Sequence, residues 1–323
     1  MTPRTIVVAP DSFKGSATAV EVAEAIATGW RSVHDTDDLL LRPMADGGEG
    51  TLDAFELAVP GSRRVPAAGA YYLLLPGGTA VVELANTCGL TLMKQLDPMG
   101  ATTARFGEAI AHALDHGADR LVLGIGGSAS TDGGMGALAE IGLRAVPSRG
   151  ATVLTDVTNP LFGPTGAAAV FGPQKGASPE QVALLDQRLR DLAAEFGVDP
   201  STPGAGAAGG TGYGMLTWGA TLEAGSRTVA ELIDLPGALK GADLLITGEG
   251  RFDSQSLDGK VISHLLELAG EVPVALIAGR IDAPVDDFAA SISLVELAGG
   301  AEAAMSDPLR WIAAAARTLA LRA

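Results

Sequence analysis

Thr5-Ile6-Val7-Val8-Ala9 is a short, continuous apolar run of the kind found in strands that are buried on both faces. The loop that follows leads into a capping box, Thr18-Ala19-Val20-Glu21, which predicts the start of a helix. The apolar positions of this helix fall on one face: Val22, Ile26, Trp30 and Val33. A second apolar run, Leu39-Leu40-Leu41, completes a βαβ unit, which predicts two parallel strands joined by a right-handed crossover.

The last third of the chain repeats this alternation of apolar runs and helical stretches. Its apolar runs lie at 243–247, 273–278 and 292–297. The middle of the chain differs, because two strand-like runs within 71–84 are separated by Pro76-Gly77-Gly78. This spacing predicts a hairpin, and therefore antiparallel pairing.

We therefore predict an α/β fold with two domains. Both termini form a doubly wound domain, residues 1–62 plus 225–323. A mixed α/β domain, residues 63–224, is inserted between them. The stretch 203–214 is so rich in glycine and alanine that, by composition alone, it is typical of a linker.

The composition excludes several classes of protein. The 323 residues carry a net charge of −16, whereas a nucleic-acid binder needs a basic surface to displace the counterions of the phosphates. The same charge argues against an anionic membrane surface, and no apolar stretch approaches the ~18 residues of a membrane span. The single cysteine, Cys88, excludes an intrachain disulfide and fits a reducing compartment. We expect a cytoplasmic protein that binds neither nucleic acid nor membranes.

The pattern Asp-Gly-Gly-x-Gly occurs twice, as Asp46-Gly47-Gly48-Glu49-Gly50 and as Asp132-Gly133-Gly134-Met135-Gly136. Each copy comes shortly after an apolar run that is typical of a strand. Glycine pairs let the backbone approach a ligand closely, and open α/β proteins bind their ligands at strand ends. The repeated pattern therefore predicts a site for a small, polar and phosphorylated ligand.

The lysines support an anion site. The chain has only five, and three of them lie beside glycine in loops: Lys14, Lys175 and Lys260. Lysines on solvated helix faces would not be concentrated in this way. Their placement indicates that the loops bind an anion in an otherwise acidic protein.

Six glycine-rich loops carry acids, amides or cations. They lie at 10–16, 44–51, 126–134, 156–160, 171–176 and 247–254. Phosphoryl transfer uses these residue types, since amides and cations spread the phosphate charge, carboxylates hold Mg²⁺, and one carboxylate accepts a proton. Any one loop could instead be a turn or a helix cap, with Asp11 and Asp46 as N-caps. Six loops of one composition are better explained by one shared site.

Two other functions remain open from the residues. Gly124-Ile125-Gly126-Gly127-Ser128-Ala129 loosely matches a dinucleotide fingerprint after a strand. The residues that follow, Ser130-Thr131-Asp132-Gly133, are not an apolar helix start, which weakens the match. An NAD-dependent oxidoreductase is therefore one alternative, and a non-catalytic protein that binds a small anion is the other.

In these loops the chain resembles the bacterial glycerate kinase family, which phosphorylates glycerate from ATP. The resemblance spans essentially the whole chain in order. The matching segments are 8–16, 45–51, 125–128, 171–177, 203–210 and 247–251. Ser130-Thr131 departs from the Thr-Asn that the family usually has, and the stretches 142–156 and 64–71 are shorter than usual. These departures bear on substrate preference more than on kinase chemistry.

The resemblance implies a flavodoxin-like domain from both termini with a second α/β domain inserted. It also implies ATP and Mg²⁺ as cofactors and D-glycerate as the acceptor, giving 2-phosphoglycerate or 3-phosphoglycerate. It further implies that the stretch 203–210 is a loop near the ligand and not a linker. The oligomeric state is left open, with a homodimer as the candidate.

Role assignments follow from the chemistry of these positions. Asp11 or Asp46 is the candidate base, and the candidate Mg²⁺ ligands are Asp46, Glu49 and Asp132. The catalytic candidates are Asp11, Lys14, Asp46 and Asp132. The residues expected to bind substrate or nucleotide are Ser12, Gly47, Gly48, Glu49, Gly126, Gly127, Ser128, Asp156, Asn159, Lys175, Glu249, Arg251 and Asp253. Lys260 is a further cation of second rank.

Overall fold

The computed structural model describes residues 3–257 and 261–323. The strands are β1 (Thr5–Val8), β2 (Asp38–Leu41), β3 (Arg63–Ala67), β4 (Ala70–Leu74), β5 (Thr79–Glu83), β6 (Arg120–Gly124), β7 (Ala151–Leu154), β8 (Thr221–Glu223), β9 (Leu244–Phe252), β10 (Val274–Ile281) and β11 (Ala290–Ser293).

The α-helices are α1 (Ala19–Arg31), α2 (Thr51–Ala58), α3 (Leu84–Cys88), α4 (Ala104–Asp115), α5 (Met135–Ile141), α6 (Ala167–Phe171), α7 (Pro179–Glu195), α8 (Ala207–Trp218), α9 (Gly225–Leu232), α10 (Leu235–Leu239), α11 (Val261–Ala269), α12 (Leu294–Ala298), α13 (Ala301–Ser306) and α14 (Pro308–Ala320). None of these helices is both long and apolar enough to cross a bilayer, within the part of the chain that is described.

The chain forms two compact units. The first consists of Met1–Ala45, Asp53–Pro60 and Ser226–Ala323, and the second of Asp46–Leu52 and Gly61–Gly225. The predicted domain boundaries, 1–62 plus 225–323 and 63–224, stay a prediction. The largest difference is the segment Asp46–Leu52, which belongs to the second unit and not to the first; the other boundaries differ by one or two residues.

The first unit contains a five-stranded, entirely parallel sheet with the order β11-β10-β9-β1-β2. Numbered within the unit, this is the order 2-1-3-4-5 of flavodoxin-like proteins. β1 is an interior strand, and Ile6 pairs with Leu39 on one side and with Leu244 on the other. The predicted βαβ unit and the α/β fold class are confirmed.

Helices cover both faces of this sheet, which explains why its strands are continuous apolar runs. Neighbouring residues of β10 point to opposite faces and are both buried. Ile277 belongs to the cluster that includes Trp30 of α1 and Ile312 of α14. Leu276 belongs to the opposite cluster, with Ile262 of α11.

The second unit contains a six-stranded mixed sheet, β3-β4-β5-β6-β7-β8. β3, β4 and β5 pair antiparallel, so the predicted hairpin is confirmed, and the pairs from β5 to β8 are parallel. Phe106 and Ile110 of α4 pack on Leu121 and Leu123 of β6. The longest helix of this unit, α7, contributes Leu185 and Leu189 to a separate hydrophobic cluster.

Candidate active site

In the first unit, the loop after β1 lies beside the carboxyl end of β9. The amide of Asp11 donates a hydrogen bond of 2.8 Å to the carbonyl oxygen of Gly248. Phe13 is buried and closes the loop, because its amide and carbonyl both bond to Ala17. Lys14, next to it, is exposed. The fold therefore presents Asp11, Ser12 and Lys14 at a strand end next to Gly248.

The carboxyl ends of β9 and β10 carry two arginines side by side. Arg251 and Arg280 are paired in register, and both donate to Asp282 over 2.7 Å. A longer contact of 3.6 Å joins Arg251 to Asp253. Burial raises the pKa of Asp282, but the hydrogen bonds and charges of both arginines outweigh it and lower the pKa.

Sequence reasoning predicted Arg251, Asp253 and Glu249 but missed Arg280 and Asp282. The sequence carried only a weak signal for them: Gly279-Arg280-Ile281-Asp282 follows an apolar run, as the other loops do. Glu249 pairs in register with Ala278 of β10 and is half-buried. Lys260 lies outside the described residues.

In the second unit, the first Asp-Gly-Gly loop packs on the carboxyl ends of β6 and β7. Asp46 is exposed, and its Oδ1 accepts a hydrogen bond of 2.9 Å from the amide of Gly48. The carbonyl of Gly47 accepts from the amide of Gly126 at 3.0 Å. A side chain at position 47 would stand 2.6 Å from Cβ of Leu154 and would need the left-handed backbone (φ +91), so only glycine fits.

This packing brings Asp46, Glu49 and Gly48 to the same strand end as Gly126 and Gly127. A Cβ at position 126 would lie 2.6 Å from Cα of Gly48, so the two backbones are in direct contact. Glu49 is exposed beside Asp46. Sequence reasoning missed one carboxylate here, Glu83, which is buried at the end of β5 and accepts a hydrogen bond from the amide of Leu52.

Asp132 of the second Asp-Gly-Gly loop is tied into the fold by both of its oxygens. Oδ2 accepts from the amide and the hydroxyl of Thr103, each at 2.8 Å, and from Thr102 and Gly136 at 3.2 Å. Oδ1 accepts from the amide of Gly134 at 3.1 Å. These contacts join the start of α4 to the start of α5, so they favour a positioning role for Asp132 over metal binding.

Lys175 is the most deeply buried cation of the predicted set, with 3% of its surface exposed. Its Nζ donates to Oγ of Ser128 at 3.3 Å and, over a shorter distance, to the carbonyl oxygen of Ser130. Burial lowers the pKa of Lys175 from 10.5 to about 8, and the negative charge of Asp132 only partly opposes this shift. The lysine is therefore held beside the glycine-rich segment that follows β6.

The glycine-rich stretch 203–214 is the start of α8 and not a linker. Three consecutive residues, Ala208, Gly209 and Gly210, have left-handed backbone conformations. A Cβ at position 209 would overlap the carbonyl oxygen of Ser130, and the amide of Gly133 donates to the carbonyl of Gly209. A left-handed alanine costs on the order of 1–2 kcal/mol, so this conformation is maintained by its packing on the 130–133 segment.

Asp156 and Asn159 act as ties between loops. Oδ1 of Asp156 accepts from the amide of Gly225 at 2.8 Å, and Nδ2 of Asn159 donates to the carbonyl of Thr165 at 2.8 Å. Among residues 3–257 and 261–323, no three His, Cys, Asp or Glu side chains are close enough to hold a metal ion. The predicted ligands Asp46, Glu49 and Asp132 are therefore not gathered into a three-carboxylate cluster.

The structure thus brings the predicted residues together in two sets, one in each unit. The first set is Asp11, Ser12, Lys14, Glu249, Arg251 and Asp253. The second set is Asp46, Gly47, Gly48, Glu49, Gly126, Gly127, Ser128, Asp132, Asp156, Asn159 and Lys175. Open α/β sheets with glycine loops, cations and carboxylates at their strand ends define a class of proteins that bind small anionic ligands.

Comparison with known proteins gives the family. The model of the glycerate kinase family matches residues 6–153 and 148–322. The chain is 40% identical to the glycerate kinase of Bacillus subtilis, with 85% of each chain covered. It is 36% identical to the glycerate 2-kinase of Escherichia coli, again with 85% of each covered. A solved structure from Salmonella typhimurium, assigned as glycerate kinase 2, matches with a TM-score of 0.83 and 35% identity, covering 99% of this chain and 98% of that one.

The chain belongs to the glycerate kinase family. The resemblance seen in the sequence is thereby confirmed. The two matches to the family overlap at residues 148–153.

Proposed function

We propose that the protein is an ATP-dependent glycerate kinase that transfers the γ-phosphate of ATP to a hydroxyl of D-glycerate. The observation that carries the proposal is the buried ammonium of Lys175. Its hydrogen bonds go to the uncharged oxygens of Ser128 and Ser130. A buried cation that hydrogen-bonds only to uncharged oxygens is expensive, and a phosphate oxygen would provide a directly bonded opposite charge.

The loops around Lys175 suit a phosphoryl group. Gly126 and Gly127 place backbone close to the anion, and Ser128 is already oriented by Lys175. Such amides and cations stabilise the charge that is spread over the transferred group. Ser128 and Lys175 are therefore proposed to bind phosphate, and Lys14 and Arg251 to bind phosphate or the glycerate carboxylate.

Asp46 is the proposed base. It is exposed at a strand end, and the amide of Gly48 orients its carboxylate. The glycerate hydroxyl oxygen forms the new bond to the γ-phosphorus as the bond to the β–γ bridging oxygen breaks. The hydroxyl proton passes to Asp46, and ADP leaves. Asp11, in the other unit, is the alternative base.

Mg²⁺ is proposed as the metal that accompanies ATP. It usually keeps several waters and takes only one or two carboxylates besides the substrate phosphates. Asp46 and Glu49, both exposed beside a glycine loop, fit this requirement. Asp132 fits it less well, because both its oxygens are already hydrogen-bonded. The metal would neutralise charge on the phosphates.

The proposed product is 2-phosphoglycerate, with 3-phosphoglycerate as the alternative. Its support is the name of the Escherichia coli relative, glycerate 2-kinase. We also propose that the protein is cytoplasmic and that it forms a homodimer. Light scattering of the purified protein would test the dimer.

The two alternative functions have less support. A dinucleotide fingerprint should open a helix directly, but the segment after β6 continues as a loop until α5 begins at Met135. A non-catalytic anion binder would not need an exposed carboxylate beside the proposed phosphate loop.

An ADP-release assay across small hydroxy acids tests the proposal. We expect ADP release with D-glycerate and ATP, little release with lactate, and no change in NADH fluorescence on titration. ATP consumption that does not depend on any hydroxy acid would contradict the proposal. Binding of NADH would favour the oxidoreductase.

A further inference from the structure

A pocket of about 260 Å³ opens next to the second Asp-Gly-Gly loop, and none of the proposed phosphate contacts uses it. It lies wholly in the second unit, between the start of α5 and one side of α7. Its apolar lining includes Met99, Met135, Leu189 and Leu192, and its polar lining includes Thr131, Asp132 and Arg188.

The side chain of Thr131 contains a buried, unsatisfied polar atom. The residue is 4% exposed, and its Oγ1 is buried with no hydrogen-bond partner among the described residues. A buried hydroxyl without a partner is destabilising, so a partner is expected from outside the chain. Thr131 lines the pocket, so rotation about its Cα–Cβ bond would turn the hydroxyl toward an occupant with a polar edge, which would provide that partner.

The pocket suits a flat, mostly apolar ring. Mostly apolar clefts with a few polar groups are the usual form of small-molecule sites, and they span about 300–1,000 Å³ for whole drug-sized ligands. At about 260 Å³, this pocket has room for one ring system. Methionine sulfur packs favourably on aromatic rings, and Arg188, which is exposed, can stack over one.

Neither a phosphate nor glycerate fits this lining. The lining is mostly apolar and its two charged residues, Asp132 and Arg188, have opposite signs, so it does not favour an anion, and glycerate has little apolar surface to bury. The pocket is also adjacent to the proposed phosphate site along the chain. Lys175 donates to the carbonyl of Ser130, and the next residue is Thr131.

From this geometry we propose that the pocket binds the purine base of the nucleotide, with Thr131 as a specificity-determining residue. The inference rests on the proposed function, since ATP supplies the base. The hydroxyl of Thr131 can both donate and accept, so it can pair with the polar edge of adenine while the methionine and leucine side chains cover the ring.

The test compares the binding of ADP with that of inorganic tripolyphosphate, which has no base, by calorimetry. Thr131→Val removes the hydroxyl but keeps the shape, Thr131→Ser keeps the hydroxyl, and Ala101→Leu fills the pocket from its rim. We expect Thr131→Val to raise the Kd for ADP about fivefold to tenfold, as expected for one hydrogen bond. Thr131→Ser should stay close to the wild type, and Ala101→Leu should weaken ADP more strongly.

The Kd for tripolyphosphate should be unchanged in every variant. A second readout needs no substitution of the pocket: ¹³C-methyl signals of Met99 and Met135 should shift with ADP and not with tripolyphosphate.

Two results would overturn the inference. One is an unchanged Kd for ADP in Thr131→Val, which should fold well because the hydroxyl it removes has no described partner. The other is an equal loss of ADP and tripolyphosphate binding. If the wild type binds ADP through Thr131 but does not phosphorylate glycerate, the proposed function fails and the pocket assignment stands. If the protein phosphorylates glycerate but Thr131→Val leaves the Kd for ADP unchanged, the proposed function stands and the pocket assignment fails.

Discussion

Lys175 has an environment that few lysines tolerate. Its charged end is enclosed by the protein, and its hydrogen bonds go to a hydroxyl and a carbonyl rather than to a carboxylate. The scarcity of lysine, with five in 323 residues, made this position conspicuous in the sequence. Only the structure revealed its burial, and with it the reason for a lowered pKa.

The titration of Lys175 should appear in the stability of the protein. The unfolded chain keeps this proton up to pH 10.5, whereas the folded protein loses it near pH 8. Between these values the unfolded state binds more protons, so the free energy of unfolding rises with pH across that window. At about 1.4 kcal/mol per tenfold change in proton affinity, the gain is about 3 kcal/mol.

Denaturant unfolding of the wild type and Lys175→Met between pH 7 and 10 measures this effect. The wild type should gain stability relative to the variant above pH 8. Lys94→Met, which removes an exposed lysine, controls for the loss of a positive charge. A wild-type advantage that stays constant over the whole range would contradict the burial of a charged Lys175.

Asp46 should be needed for turnover but not for folding. Asp46→Asn keeps an oxygen that can accept from the amide of Gly48, so the loop should persist. Loss of the base should lower kcat by about 100- to 10,000-fold, with an unchanged melting temperature. Asp199→Asn is the matched control, because exposed Asp199 accepts from the amide of Ser201 in the same type of turn.

At the scale of elements, the glycine-rich start of α8 is the unusual feature. By composition alone it is typical of a linker, but Gly209, Gly210 and Gly214 are buried against residues 130–134. Glycine here allows two backbones to touch, which no local sequence pattern reports. The same contact positions Ser130, to which Lys175 is bonded.

Two substitutions in this element should have opposite effects. Gly209→Ala would place a methyl group on the carbonyl oxygen of Ser130 and should lower the stability by several kcal/mol, at the upper end of about 0.5–3 kcal/mol for point mutants. Ala208→Gly relieves a left-handed alanine (φ 53) and should be neutral or stabilising. Thermal unfolding of both variants decides the point. Equal destabilisation by the two changes would mean that the strained conformation is not present.

At the scale of the whole molecule, patterns of burial were predictable and long-range contacts were not. Apolar runs and the capping box located β1 and α1 because those signals are local; Thr18 caps α1 as expected. The hydrogen bonds that occupy Asp132 come from Thr102 and Thr103, about 30 residues earlier in the chain. The transfer of Asp46–Leu52 to the second unit likewise depends on the contact of Gly47 with Leu154.

The sequence predicted which residues form the site better than it predicted the role of each residue. Glycine loops at strand ends identified Lys175, Ser128 and Asp46 as candidates. Arg280 and Glu83 were missed, because a single charged residue at the end of an apolar run gives little signal on its own. Arg280 belongs to the site because it pairs in register with Arg251 on the neighbouring strand. Strand register is a property of the folded sheet and not of the local sequence.

The most direct test of the proposed kinase activity is ³¹P NMR of a reaction that contains ATP, Mg²⁺, D-glycerate and the wild-type protein, run in parallel with Asp46→Asn. We predict that the wild type forms 2-phosphoglycerate and ADP in equal amounts, and that the variant forms both far more slowly. ATP that stays intact, or ATP hydrolysed to inorganic phosphate with no phosphoglycerate, would contradict the assignment.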